Sequence, residues 1–270
     1  MRFVRWIVFM LLVIGVVACR KSTMTKNIPV IGHAITGLYN PQRIYKDNTK
    51  EAFEYAVLFE GLGGVEIDVQ LSADGGLWLY HDADLASQTN TIGRISELTN
   101  DKLETVEYTT IKGEKLAKLS DLSLDIASPQ FRLYIDLKDY NHRSMDSVST
   151  VKIIEALNTF KSNHPNFSNL FLIVPDLAFM EQFEQAGFKD IFTDISGVSD
   201  GLQKKAAYPT LAGVFVRNRA IDKAEVKQLH DEELKIVIFD MRTIFSIRRA
   251  FAKNPDEIMV EEFRTALKEM

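Results

Sequence analysis

The 270-residue sequence predicts an α/β fold: a (β/α)8 TIM-type barrel with an antiparallel hairpin extending from strand 2. Three observations predict it. Short apolar runs rich in Val, Ile and Phe alternate with longer stretches of helical period, the signature of βαβ units around a parallel sheet. The strand candidates number nine, one more than such a barrel needs, and two of them are joined by only five residues. The composition, 46% hydrophobic and 26% charged, supports one sizeable core, so residues 28–270 read as a single domain.

The N-terminus is set apart. Arg2 and Arg5 precede an uncharged apolar run from Trp6 to Val17, shorter than the roughly 20 residues of a membrane span. A positive segment followed by a short apolar one is the layout of a secretory signal peptide, here residues 1–18. Val16-Val17-Ala18-Cys19 resembles the lipobox of bacterial lipoproteins, which implies lipidation of Cys19. The alternatives are a plain signal peptide and an uncleaved anchor. The resemblance implies a bacterial cell-envelope location, periplasmic or outer-membrane associated, with the membrane as partner. Residues 19–27 read as a polar tether. Cys19 is the single cysteine, which excludes an internal disulfide framework. A net charge of −5 with no basic stripe argues against a nucleic-acid partner.

Along the mature chain the strand candidates are 28–33, 65–71, 77–81, 131–138, 170–174, 190–193, 211–216, 235–239 and 257–260. Helical patterns run over 49–60, 96–106, 148–163, 177–186, 223–233 and 243–252. Parallel neighbours need a crossover of a dozen or more residues, so 65–71 and 77–81 must form an antiparallel hairpin. With Asp74-Gly75 as its two-residue turn, Asp68 falls opposite His81; a turn at Gly75-Gly76 would slip the register by two. Removing the return strand leaves eight for the barrel.

The chemistry-bearing residues gather at strand ends. Glu66 and Asp68 are two apart on one strand, so both project from one face. Crowded carboxylates call for a hard cation such as Ca²⁺ or Mg²⁺; a solvated strand face is the plainer reading of the same spacing. His33 ends the first strand and His81 the hairpin, where parallel barrels carry their active sites. Imidazole suits both the general base and the general acid of a reaction run near neutral pH, although a lone strand-end histidine is more often structural. Asp136 and Lys138 repeat the spacing, offering a third oxygen ligand beside a cation for an anionic group; an exposed strand edge with an ion pair is the alternative. His142, His164 and His230 read as loop or helix-surface residues, and Phe53, Phe59, Phe160 and Phe183 as core.

These spacings, in this order, resemble the glycerophosphodiester phosphodiesterase family from His33 to about Phe263. GHAITG is similar to its opening histidine motif, DNTKEAFEYA to its E-N-T helix start, and LYIDLK to its L-x-I-E-x-K strand. GVEIDVQLSADGGLWLYHD resembles its central hairpin and is the most specific match. The resemblance implies a metal-dependent hydrolase of a small-molecule phosphodiester, releasing glycerol 3-phosphate and an alcohol. It implies His33 and His81 as base and acid, Glu66, Asp68 and Asp136 as metal ligands, Lys138 on the phosphate, and Asn48 supporting the site from a substrate-binding position.

The sequence departs from the family at informative places. Ala34 stands where an arginine usually reaches the phosphate, a contact worth about 1.5–3 kcal/mol; Arg43 or Lys46 is the expected substitute. Asp47 and Asp136 replace glutamates, and Phe239 replaces a late tryptophan. Two other readings stay open: a phospholipid or sphingolipid headgroup phosphodiesterase, and a non-catalytic glycerophosphodiester-binding lipoprotein.

Overall fold

The computed structural model describes residues 27–110, 112–138 and 147–270. The expected signal peptide, Cys19, most of the tether and His142 lie outside the described residues. Ten strands form one sheet: β1 (Val30–Gly32), β2 (Gly64–Leu71), β3 (Leu77–Leu79), β4 (Ala117–Lys118), β5 (Arg132–Leu137), β6 (Leu170–Ile173), β7 (Ile191–Ile195), β8 (Gly213–Arg217), β9 (Lys235–Phe239) and β10 (Glu257–Val260). All but β3 and β4 pair in parallel in the order β1-β2-β5-β6-β7-β8-β9-β10. The circle closes where β1 lies between β10 and β2. β3 and β4 continue outside it, β3 antiparallel to β2 and β4 antiparallel to β3. The expected barrel with its hairpin is therefore the observed fold.

Side-chain alternation explains its two cores. Val65, Ile67 and Val69 of β2 and Leu133, Ile135 and Leu137 of β5 face outward to the surrounding helices. The lumen is filled by Ile31, Tyr134, Phe171, Phe192, Phe215, Val237 and Met259. Tyr134 stacks on Phe171 at 4.7 Å and meets Phe192 and Phe215 edge-on. This aromatic plug gives the groups above it a rigid floor.

The helices are α1 (Lys50–Val57), α2 (Asn100–Leu103), α3 (Ser147–Asn163), α4 (Met180–Gln185), α5 (Val198–Ala207), α6 (Lys223–Asp231), α7 (Ile244–Ala252) and α8 (Phe263–Leu267). The single helix expected over 96–106 is broken into a 3₁₀ turn (Ile95–Glu97) and α2. Asn100 is pinned to the hairpin: its N–H donates to the Asp74 carboxylate, and its Oδ1 accepts from Trp78 Nε1 at 2.8 Å. Helix α5 falls in none of the expected helical patterns, and it contains Gly201, a residue of low helix propensity. Gly201 is a packing residue; a Cβ there would come within 2.9 Å of Leu229 and 3.0 Å of Ile195.

The hairpin register differs from expectation by one residue. Val69 pairs with Leu79 and Leu71 with Leu77, and the Tyr80 N–H donates to Asp68 O. Asp68 is therefore opposite Tyr80, not His81. The turn has three residues, Ala73-Asp74-Gly75, with Gly75 at φ +94. Gly76 then serves a separate need, since a Cβ would collide with the Asn100 amide at 2.1 Å.

At the opposite end of the barrel, Glu257 opens β10 almost fully buried, 3.1 Å from Arg132 Nε. Burial pushes its carboxyl up to about 7, outweighing the Arg132 charge and the Tyr134 hydrogen bond. A raised folded value means that this group's stabilising contribution is full below about 4.5 and is lost as pH rises through about 7. Glu257→Gln is expected to remove on the order of 2–3 kcal/mol of that pH dependence. Urea unfolding at pH 5 and pH 8 measures it; unchanged slopes in the variant would refute the assignment.

Candidate active site

The C-terminal mouth of the barrel holds a cavity of about 180 Å³ whose lining includes His33, Glu66, His81, Asp136, Lys138 and Glu261. Its first wall is β2 and β5, side by side in register with Asp68 opposite Asp136. The inward-facing positions place Glu66, Asp68 and Asp136 together, and one oxygen from each lies within 4.8 Å of the others. Asp68 is fixed from below by Asn48, whose Nδ2 donates to Asp68 Oδ2 at 2.7 Å while its Oδ1 accepts the Asp68 N–H at 3.1 Å. Asn48 has φ +53, a left-handed conformation that asparagine tolerates. It is fully buried and grips a carboxylate, a position from which it supports the site.

Glu66 Oε2 accepts the Ala34 N–H at 2.7 Å, while Glu66 Oε1 is buried with no hydrogen-bond partner. Burial, then the neighbouring Asp68 charge, raises the Glu66 carboxyl well above its ordinary range. Burial raises Asp136 as well, whereas at Asp68 burial is outweighed by the charges of Lys138, His81 and His33 and the Asn48 hydrogen bond acting together, which hold the carboxyl down. The Lys138 ammonium bonds to Asp136 and lies 3.1 Å from Asp68 Oδ1. One ammonium therefore faces three carboxylates, of which Glu66 and Asp68 are buried and Asp136 is half-buried. An orphaned buried oxygen in an all-oxygen donor set fits a hard divalent cation, with Glu66, Asp68 and Asp136 as the residues that would hold it.

Each histidine is oriented by a carboxylate. His33 follows β1; its Nδ1 lies 2.8 Å from Glu261 Oε1 and its Nε2 4.0 Å from Glu66 Oε2. Burial disfavours the His33 cation, but the Glu261 hydrogen bond and the charges on Glu66, Glu261 and Asp68 outweigh it and hold the ring at about 9. Burial opposes ionisation of Glu261, yet its bond to His33 keeps it below the usual range. A carboxylate only accepts, so Nδ1–H is the donor and Nε2 is left towards the cavity.

His81 reaches the same cavity although it is not in the hairpin ladder. Buried Gln70 on β2 donates Nε2 to Tyr80 O and to Asp82 O, both at 2.8 Å, and so clamps the chain on either side of it. His81 Nδ1 meets Asp82 Oδ1 at 2.8 Å; Asp82 Oδ2 accepts from Ser87 and Gln88. The strand-end argument thus put His81 in the right place with the wrong register.

Arg43 is not on the cavity wall. Its guanidinium pairs with Asp47 at 2.7 Å and donates to Leu38 O at 2.9 Å. Lys46 is buried against Asp47 and Tyr108. Neither takes the place of the arginine missing at Ala34, which is buried at φ +42. Residues the sequence reading passed over are Glu261, Asp82, Gln70, Arg217 and Arg242. The signal for Glu261 was present: an acidic residue directly after the last strand, where barrel sites are built.

Comparison with known proteins follows the same lines. Residues 36–243 match the model of the Glycerophosphoryl diester phosphodiesterase family. That span includes His81, Glu66, Asp68, Asp136 and Lys138, and ends short of His33 and Glu261. A glycerophosphodiester phosphodiesterase of Bacillus altitudinis is 43% identical over 60 residues, 22% of this chain and 24% of that protein. The match thus spans about a quarter of the curated relative. Among solved structures, a putative glycerophosphoryl diester phosphodiesterase of Agrobacterium tumefaciens superposes with a TM-score of 0.76 at 17% identity, covering 89% of this chain and 96% of that one. A phosphodiesterase of Oleispira antarctica, in complex with the product sn-glycerol-3-phosphate, gives 0.72 at 20% identity with the same coverage. Both show a shared barrel.

Proposed function

We propose, since this chain belongs to the glycerophosphoryl diester phosphodiesterase family, that it hydrolyses glycerophosphodiesters to glycerol 3-phosphate and an alcohol. The observation that carries this is the convergence of two carboxylate-oriented imidazoles on a cavity floored by three carboxylates and an ammonium. His33 Nε2 takes a proton from the attacking water, whose oxygen bonds to phosphorus as the bond to the alcohol oxygen breaks, and Glu261 stabilises the resulting imidazolium through Nδ1–H. His81, steadied by Asp82, gives a proton to the departing alkoxide. Protonating the alkoxide removes the charge that would otherwise make it a poor leaving group. Lys138 supplies positive charge to the phosphoryl oxygens. A Ca²⁺ or Mg²⁺ held by Glu66, Asp68 and Asp136 would supply Lewis acidity to the phosphoryl group and offset the carboxylate charge that keeps His33 protonated.

Phosphorus NMR of glycerophosphocholine incubated with the protein and Ca²⁺ or Mg²⁺ tests the reading. A glycerol 3-phosphate signal is expected. Release of phosphocholine instead, or binding without turnover, would overturn it. We further propose anchoring at the cell envelope through lipidated Cys19, supported by Val16-Val17-Ala18-Cys19 behind the apolar run. Labelling with a palmitate analogue that Cys19→Ser abolishes is the expected result.

A further inference from the structure

The cavity wall opposite Glu66, Asp68 and Asp136 carries two guanidinium groups together with the carboxylates of Asp194 and Asp240. Counting round the barrel, β9 is diametrically across from β5, and β8 across from β2. Arg217 ends β8 and Arg242 follows β9, and both line the cavity. Each guanidinium is held by an aromatic face: Arg217 Cζ lies 5.2 Å from the Phe239 ring centroid, Arg242 Cζ 4.5 Å from that of Tyr39. Asp240 lies between them, 3.2 Å from Arg217 and 3.6 Å from Arg242. Its φ of +64 is a conformation that few residue types adopt readily. One carboxylate cannot occupy the ten N–H donors of two guanidinium groups. The next carboxylate along the rim, Asp194, has Lys138 and Lys204 facing it as well as Arg217. The arc therefore carries two guanidinium groups with donors to spare, across the mouth from Glu66, Asp68 and Asp136, with Glu261 of the His33 pair facing Arg242 from the neighbouring strand end.

We propose that Arg217 and Arg242 form a second anion-binding position, which takes an anionic group on the alcohol portion of the diester. This specificity rests on the phosphodiesterase reading above. With the scissile phosphate over β2 and β5, the leaving alcohol extends across the mouth to β8 and β9. A phosphate or carboxylate there is met by planar, pre-oriented donors. Glycerophosphodiesters whose alcohol is itself phosphorylated are then the preferred substrates over those with neutral or cationic alcohols.

The test compares glycerophosphoglycerol, glycerophosphocholine and the phosphomonoester of glycerophosphoglycerol in wild type, Arg217→Gln/Arg242→Gln and Arg242→Glu. The anionic-to-neutral ratio of kcat/KM is expected to fall roughly 10- to 100-fold in the double variant, mostly through KM. In Arg242→Glu the preference should turn to the choline diester. Equal losses on all three diesters would place the arginines on the scissile phosphate and overturn the proposal. A binding arm stands apart from turnover: glycerol 1,3-bisphosphate should bind wild type at least about tenfold tighter than glycerol 3-phosphate, with that difference gone in the double variant. If no diester is hydrolysed but this difference holds, the phosphodiesterase reading fails and the anion position stands. If wild type does not discriminate the two ligands, the anion position fails whatever the turnover.

Discussion

His33→Ala is expected to lower kcat/KM on a soluble glycerophosphodiester by roughly 10²–10⁴-fold, the range for loss of a positioned acid–base group. The fold should survive, because Glu261 keeps its hydrogen bond from the Tyr39 N–H at 3.1 Å. A second readout fixes the cause. His33 has its folded pKa raised from 6.5 to about 9. Its stabilising contribution is therefore full below about 6.5 and is lost as pH rises through about 9. The cation-free protein should lose stability across that window, and His33→Ala should lack this component. Glu261→Gln separates orientation from proton transfer. It keeps the shape but weakens support for the imidazolium, so the His33 limb of the pH profile moves to lower pH with KM little changed. Wild-type turnover in His33→Ala, or an unmoved limb in Glu261→Gln, would remove His33 from the mechanism.

Much of this architecture is legible in the sequence, for a physical reason. Barrel strands carry one face into the lumen and one towards the helices, so two-residue spacings such as Glu66/Asp68 and Asp136/Lys138 report a shared face directly. Strand ends in a parallel barrel converge on one mouth, so His33 and His81 were placed without knowing their partners. Other features depend on contacts distant in sequence. The hairpin register was read from Asp74-Gly75 as a two-residue turn, but Gly76 is required by Asn100, 24 residues on. Helix α5 was hidden because Gly201 looks like a breaker until Leu229 and Ile195 are packed on it. Arg43 looked like a phosphate ligand because its pairing with Asp47 depends on how the 38–46 loop folds back. Arg217 and Arg242 have no motif of their own; closure of the barrel is what brings them opposite Asp68 and Asp136.

Glu66→Gln is expected to have an effect on activity as large as the loss of His33, and the opposite effect on stability. In the cation-free protein Glu66 is buried with one unpartnered oxygen, beside Asp68, and its pKa is raised well above 4.5. Charging it costs stability as pH rises above about 4.5. The amide keeps the size and the acceptor for the Ala34 N–H without that charge, so Glu66→Gln should unfold at higher temperature than wild type at pH 8. Adding Ca²⁺ or Mg²⁺ reverses the comparison. A cation bound only by the folded state stabilises it by about 2.7 kcal/mol at a hundredfold excess over Kd. Wild type should therefore show a concentration-dependent rise in Tm that EDTA abolishes, and Glu66→Gln should show little or none. Turnover should follow the same titration, lost with chelator and restored by the ion in wild type alone. If Glu66→Gln is destabilised without the ion, or shows the full Tm rise with it, the three carboxylates are a counter-charge for Lys138 and not a cation site. Lys138→Met tells these outcomes apart. Removing the ammonium from between Asp68 and Asp136 leaves a cation site with its ligands intact and more need of an ion, so the Tm rise grows; a mere ion-pair cluster would lose stability that no divalent ion restores.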